Sequence, residues 1–348
     1  MPSQMGIIAF LTLVAVQAPL PLNQISLFST TEALAQTPPS RKTEADRLLK
    51  QGIEQVQTNQ FEAAKQSWQR ALIIYQKIKD RRGEGNTLSN LGLAYDSQGD
   101  YAKAIEYHQQ SLVILREIKD SQGEESVLVN LGLAHSSVGN YAKAIKYYQQ
   151  SLAIAKALKD RLSEGNALLN LGLAYDFLGD YAKAIEYHLQ SLAIAKALKD
   201  RLGEGHSLEN LGNAYLSLGD YAKAIEYHQQ RLAIAKLIKD RLGESHALSN
   251  IGIAYYRLGD YPKAIKYHQQ RLAIAQAIKD RPGEGTSLSN LGVAYQSLRD
   301  YAQAINYHQQ SLAIAREIKN RLGEENALAS LGLIYYSLGD SPKALDYD

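Results

Sequence analysis

From Ala45 onward, apolar positions fall at helical spacing twice in every forty residues. Across residues 80–119, Leu88, Leu91 and Tyr95 share one helical face, and Ile105, His108, Leu112 and Ile114 form the inward face of a second helix. Asp80 and Asp100 stand where N-caps are wanted, so the first helix is predicted to run to about Ser97 and the second to about Lys119. Gly99 falls where a left-handed C′ residue is needed, and Lys119 puts a cation beside the last carbonyls. The block then repeats without insertion or deletion. Glycine returns at 52, 92, 132, 172, 212, 252, 292 and 332, and alanine at 64, 104, 144, 184, 224, 264, 304 and 344.

The prolines test this register. Within the repeats they occur only at 262, 282 and 342, each two residues after a capping aspartate. The first helical turn tolerates proline because its N–H has no intrahelical acceptor. Most of the 23 tyrosines occupy the three positions of Tyr95, Tyr101 and Tyr107, as core and joint residues of a lattice would. The glycine and alanine series are expected to share one cause, a close crossing of the paired helices. On that reading, Gly172→Leu overpacks the pair and costs about 1–3 kcal/mol. A period of this length marks stacked units, none of which can bury its apolar face alone.

Leu88-x-x-Leu91-Gly92-x-x-Tyr95, then Gly99-Asp100-Tyr101, Ala104-Ile105 and Leu112, resemble the tetratricopeptide repeat signature. The unit is longer than the usual one of about 34 residues, and its long helices are similar to those of the Pins/LGN polarity adaptors and the kinesin light chain. The resemblance implies an all-α, right-handed superhelical solenoid of stacked antiparallel helix pairs. It covers seven full repeats, 45–84, 85–124, 125–164, 165–204, 205–244, 245–284 and 285–324, and one partial repeat, 325–348. Gln51 and Gln55, where later repeats have leucine and tyrosine, suit a polar terminal cap. Arg299 replaces the C′ glycine and costs about 1 kcal/mol if it must turn left-handed.

The resemblance also implies that the first helix of each repeat lines a concave groove, with Asn86, Ser89, Asn90 and Leu93 as the model positions. Asparagine holds one of these positions in six consecutive repeats, as Asn90, Asn130, Asn170, Asn210, Asn250 and Asn290. An amide has one acceptor and two donors, so such a ladder can grip the main chain of an extended peptide. Rungs about 8–10 Å apart would meet about every third peptide unit. The same asparagines could instead bond a neighbouring helix backbone, and the sequence leaves both readings open. Flanking pairs such as Val129/Leu133, Glu209/Asn213 and Ser289/Val293 vary between repeats, as partner-reading positions or drifting exposed sites would. The middle of the groove, with His206, Glu209, Asn210, Asn213 and His246, is its most polar stretch. The lysine and arginine cluster with which some family members hold a C-terminal carboxylate is absent from these positions.

Composition narrows the chemistry. A formal net charge of +2 over 348 residues, with no basic stripe, argues against nucleic acid as partner. There is no cysteine, which removes disulfides, thiolate metal sites and thiol nucleophiles. His108, His188, His228, His268 and His308 recur once per repeat on separate helices, a packing position shared with Trp68 and Tyr148, so no metal is expected. The Lys-Asp-Arg-x-Gly-Glu junctions, such as Lys199–Glu204, read as solvated loops with an N-cap. No phosphate loop, HExxH or GxSxG motif occurs. No cofactor and no enzymatic activity are expected.

Residues 1–35 read as a signal peptide, with the apolar run Ile7–Val16 and a small-x-small site at Ala33-Leu34-Ala35. No lysine or arginine precedes Arg41, so the α-amino group alone supplies the n-region charge. Export to the periplasm or beyond is the expectation, with no membrane association of the mature chain; a cytoplasmic protein with an apolar tail is the alternative. Residues 36–44 read as a linker. At the other end, Leu333, Ile334, Leu345 and Tyr347 are expected to lack full cover, which would permit self-association there. The function expected is a non-enzymatic scaffold that binds a protein or peptide segment in the groove. The alternative is the regulatory or substrate-recruiting part of a protease or signalling system whose caspase-like catalytic domain is on another chain.

Overall fold

The computed structural model describes residues 40–347; the segment read as a signal peptide lies outside them. Sixteen helices follow one another among the described residues. They are α1 (Arg41–Gln57), α2 (Phe61–Ile78), α3 (Arg81–Ser97), α4 (Tyr101–Glu117), α5 (Ser121–Ser137), α6 (Tyr141–Leu158), α7 (Arg161–Phe177) and α8 (Tyr181–Leu198). They continue as α9 (Arg201–Leu218), α10 (Tyr221–Ile238), α11 (Arg241–Arg257), α12 (Tyr261–Ala277), α13 (Arg281–Ser297), α14 (Tyr301–Glu317), α15 (Arg321–Ser337) and α16 (Ser341–Leu345). Each packs against the next, giving a right-handed solenoid of antiparallel pairs. The chain enters α1 at Arg41, capped by Ser40, inside the stretch read as linker. The natural unit is therefore a pair such as α3–α4 bounded by Asp80 and Asp120, about four residues ahead of the frame drawn from sequence.

The joints explain how so regular a chain turns so sharply. At the end of α3, the Gly99 N–H bonds the Asp96 carbonyl at 3.0 Å and the Asp100 N–H bonds the Tyr95 carbonyl at 3.0 Å. That is a Schellman closure. Asp100 then serves α4 as N-cap, its side chain accepting from the Lys103 N–H. One two-residue step thus ends one helix and starts the next. The joints after the even helices are built alike, but lysine stands where glycine would be expected. Lys79, Lys119, Lys159, Lys199, Lys239, Lys279 and Lys319 all lie in the left-handed region, with φ between 56° and 59°. A cation beside the terminal carbonyls offsets part of the cost of a Cβ there. Arg299 takes the same conformation, with φ 61°.

The junction segments are not solvated loops. Their aspartates cap odd helices, and the glutamates Glu84, Glu164, Glu204 and Glu244 are buried in the first turn. Arg201 donates to Glu204 at 2.6 Å, and Arg241 to Glu244 at 2.7 Å. Desolvating a carboxylate is costly, so each is paired across one turn by an arginine that itself remains in water.

The glycine series has a more specific cause than a shared helix crossing. A Cβ on Gly212 would fall 2.5 Å from the His228 ring, and one on Gly292 2.7 Å from the His308 ring. Gly52 faces Trp68 and Gly132 faces Tyr148 in the same way. Each ring lies flat over its glycine, and the rings at 108, 188, 228 and 308 are wholly buried. At the other end of the pair, Tyr95 stacks on Tyr107 with centroids 5.4 Å apart, as Tyr215 does on Tyr227. Near the C-terminus, Leu333, Tyr336 and Leu345 are exposed, but Ile334 is completely buried, contrary to expectation, because it faces inward on α15.

Candidate partner-binding groove

Odd helices approach one another along the stack: α1, α3 and α5 touch in succession, as do α7, α9 and α11, and α13 and α15. This crowding places them on the inner side of the solenoid's curve. The six asparagines sit on α3, α5, α7, α9, α11 and α13, each half-buried beside a fully buried residue of the Leu91 series. That neighbour anchors the helix in the core. Asn250 donates through Nδ2 to Asn213 Oδ1 at 3.0 Å, across two helices. Among the described residues the other five amides have no hydrogen-bond partner, and none of their polar atoms is sealed from solvent. Leu93 and Leu133 beside the first two amides are 37% and 47% exposed, whereas their counterparts Leu173, Ile253 and Val293 are half-buried.

The polar centre is organised by a residue that sequence reasoning missed. Arg231, on α10, is 3% exposed. Its Nε donates to Glu209 Oε2 at 3.4 Å, and its Nη2 donates to Asp240 Oδ2 at 2.6 Å. His246 Nδ1 lies 3.7 Å from the other Glu209 oxygen. Burial pushes the Glu209 carboxyl up, but His246 and the Arg231 charge outweigh it and hold it below the usual carboxylate range. Burial lowers His206 and drives His228 down to about 4. Glu209 and His246 therefore form one group with Arg231 and Asp240, Asn213 and Asn250 form a separate hydrogen-bonded pair, and the other asparagines stand apart.

Serine holds the Arg231 position in other repeats, where Ser111 donates to the Gly85 carbonyl at 2.8 Å and Ser191 to the Gly165 carbonyl at 3.0 Å. The available signal was the break in period, Arg231 and then Arg271 replacing serine. Among the described residues, no group of three or more His, Asp or Glu could hold a metal ion, and no helix is long and apolar enough to cross a membrane. The arrangement offers hydrogen bonds, apolar contact and fixed charge.

A tetratricopeptide repeat model matches residues 55–117, 124–197, 178–237, 205–277, 243–317 and 283–348. The chain belongs to the tetratricopeptide repeat family. Among proteins of curated function none matches the sequence. Its fold is similar to a signal transduction ATPase with numerous domains and a tetratricopeptide repeat sensor from Pyrococcus horikoshii (TM-score 0.68, 18% identity, 87% of this chain and 46% of that one). This chain thus spans less than half of that protein. It is similar to a Rap protein solved with competence and sporulation factor (TM-score 0.55, 16% identity, 88% of this chain and 86% of that one). It is also similar to a Podosopora anserina putative kinesin light chain of nearly identical repeats (TM-score 0.50, 22% identity, 56% and 95%).

Proposed function

We propose that the protein is a non-enzymatic interaction scaffold whose concave groove holds an extended segment of a partner protein. The observation that carries this reading is the row of half-buried asparagine amides, five of which have no partner among the described residues. A structural asparagine would be expected to spend its amide on a neighbouring helix; these remain available to a peptide main chain. The Rap relative, solved with competence and sporulation factor, gives a precedent for a fold of this kind with a bound regulator. Hydrogen bonds worth about 1 kcal/mol each from the five free rungs would give a Kd of about 0.2 mM at best before ordering costs. Selectivity then rests on the varied flanks and on the charged centre at Glu209.

The test is binding of a random extended-peptide library to the wild type, Asn170→Ala and Asn210→Ala. Weakened binding with unchanged thermal stability supports the ladder. Unchanged binding with lost stability rejects it. Export is proposed separately, on the apolar run and small-x-small site at the N-terminus; N-terminal sequencing of the protein recovered from its native host tests it.

A further inference from the structure

Two consecutive repeats carry a buried arginine at the same position; among the described residues the first has two carboxylate partners, although its Nη1 is itself sealed without a hydrogen-bond partner, and the second has none. Arg231 has Glu209 and Asp240. Arg271, on α12, is 8% exposed, and its Nε and Nη1 are sealed from solvent without a hydrogen-bond partner. Among the described residues no carboxylate forms an ion pair with it. Asp280, the counterpart of Asp240, acts on it only from a distance while its side chain accepts from the Gly283 N–H. The counterpart of Glu209 is Ser249, half-buried on the same groove-facing stretch of α11. A second donor is orphaned nearby in the register: Ser245, which stands where Gly205 packs against Arg231, has a buried Oγ with no partner. The neighbouring ionisable side chains are His246 on α11, His268 one turn earlier on α12, and Asp280 at the start of α13. None of them fills the gap, and burial lowers the affinity of Arg271 for its own proton. A desolvated guanidinium and a hydroxyl lacking an acceptor are a costly combination unless an acceptor arrives.

We propose that Arg271 receives a carboxylate from the bound partner, in the place that Glu209 fills for Arg231 one repeat earlier. The carboxylate is an acidic side chain or the C-terminus of the segment, and Ser245 and Asn250 flank it. The inference rests on the groove reading for its ligand, and it adds a chemical requirement: the segment presents an acidic group at the sixth repeat. Because a charge-assisted pair in a desolvated site is strong, the acidic group is expected to contribute about tenfold in affinity.

Two measurements test it on the full chain. First, capped N-acetylglutamate amide and its glutamine analogue are titrated while the Nε–H resonances of 15N-arginine are followed. A shift at Arg271 with the glutamate compound alone supports the proposal; no shift overturns it, whatever the groove does. Second, the peptide library is selected in paired forms, with acidic or amide side chains and with free or amidated C-termini. The wild type is expected to prefer one acidic form by about tenfold, and which form wins identifies the source of the carboxylate. Arg271→Ser, which restores the residue of the other repeats, and Ser249→Glu, which supplies the missing carboxylate from within, should each reduce that preference to within about twofold while still binding peptide. Peptide binding without acidic preference, or with a preference that survives both substitutions, overturns the proposal and leaves the groove reading intact. An Arg271 shift with no peptide selected would support the carboxylate site and sink the groove reading instead.

Discussion

Acid should unravel the C-terminal half of the array well before carboxylates titrate, because of three histidines packed on glycine. His228 and His308 are driven down to about 4, and His268 to about 3, chiefly by burial; the Arg231 charge adds to the effect at His228 against that of Glu209, and the Arg271 charge adds to it at His268. Their folded pKa values lie below the unfolded one, so the unfolded chain binds more protons and stability rises with pH. The contribution is complete above about pH 6.5 and is lost as pH falls toward the folded values. At pH 5 the loss is about 2 kcal/mol per histidine, taken as an order of magnitude. Hydrogen exchange resolved by repeat, with urea unfolding followed by circular dichroism, should show residues 201–318 losing protection between pH 7.5 and pH 5. His228→Phe/His308→Phe keeps a ring over each glycine and removes ring nitrogens that have no hydrogen-bond partner in either residue. This variant should reduce the pH-dependent loss by about 4 kcal/mol. An unchanged difference between the two pH values would show that the buried imidazoles do not govern acid sensitivity.

Three further outcomes follow from packing. Gly212→Ala should lower stability by about 1–3 kcal/mol in urea titrations, since its Cβ meets the His228 ring at 2.5 Å. Gly85→Ala should be far milder than Gly212→Ala, within about 1 kcal/mol of the wild type: the helix-propensity gain is offset by a Cβ 3.3 Å from Ile114, which must give by a few tenths of an ångström, as its counterparts do where the same position holds Glu125 and Ser245. Arg299→Gly should raise stability by up to about 1 kcal/mol, since the left-handed φ of 61° no longer opposes a Cβ. Glu209→Ala, which leaves Arg231 with Asp240 as its one carboxylate partner, should cost about 1.5–3 kcal/mol, and Arg231→Ser in the same chain should recover part of it; an additive double mutant, read by thermal melting, would show that the pair is not coupled.

Helix positions, caps and proline placement were legible because they depend on residues a few places apart, and here every instance is repeated. The aspartate caps and the glycine at 99 carry their meaning in the local sequence. The left-handed lysines did not, since lysine near a helix end already has an electrostatic explanation and nothing in its side chain announces a positive φ. The ring over each glycine was half visible: both series were periodic, but their meeting depends on how two helices cross.

The groove divides the same way. Repetition identified the asparagine positions, yet the arginine that organises the charged centre lies off the groove helices, on α10, and reaches Glu209 from 22 residues further along the chain. What betrayed it was the break in pattern. In an array of near-identical units, the shared residues build the lattice and have little capacity to distinguish one partner from another. Selectivity must come from positions where the units differ, and the differences with the largest energetic consequence are those that bury a charge. Arg231 and Arg271 are two such differences. The first is neutralised by the chain itself, and the second, which has no carboxylate partner among the described residues, is the point where the proposed carboxylate of a partner would be read.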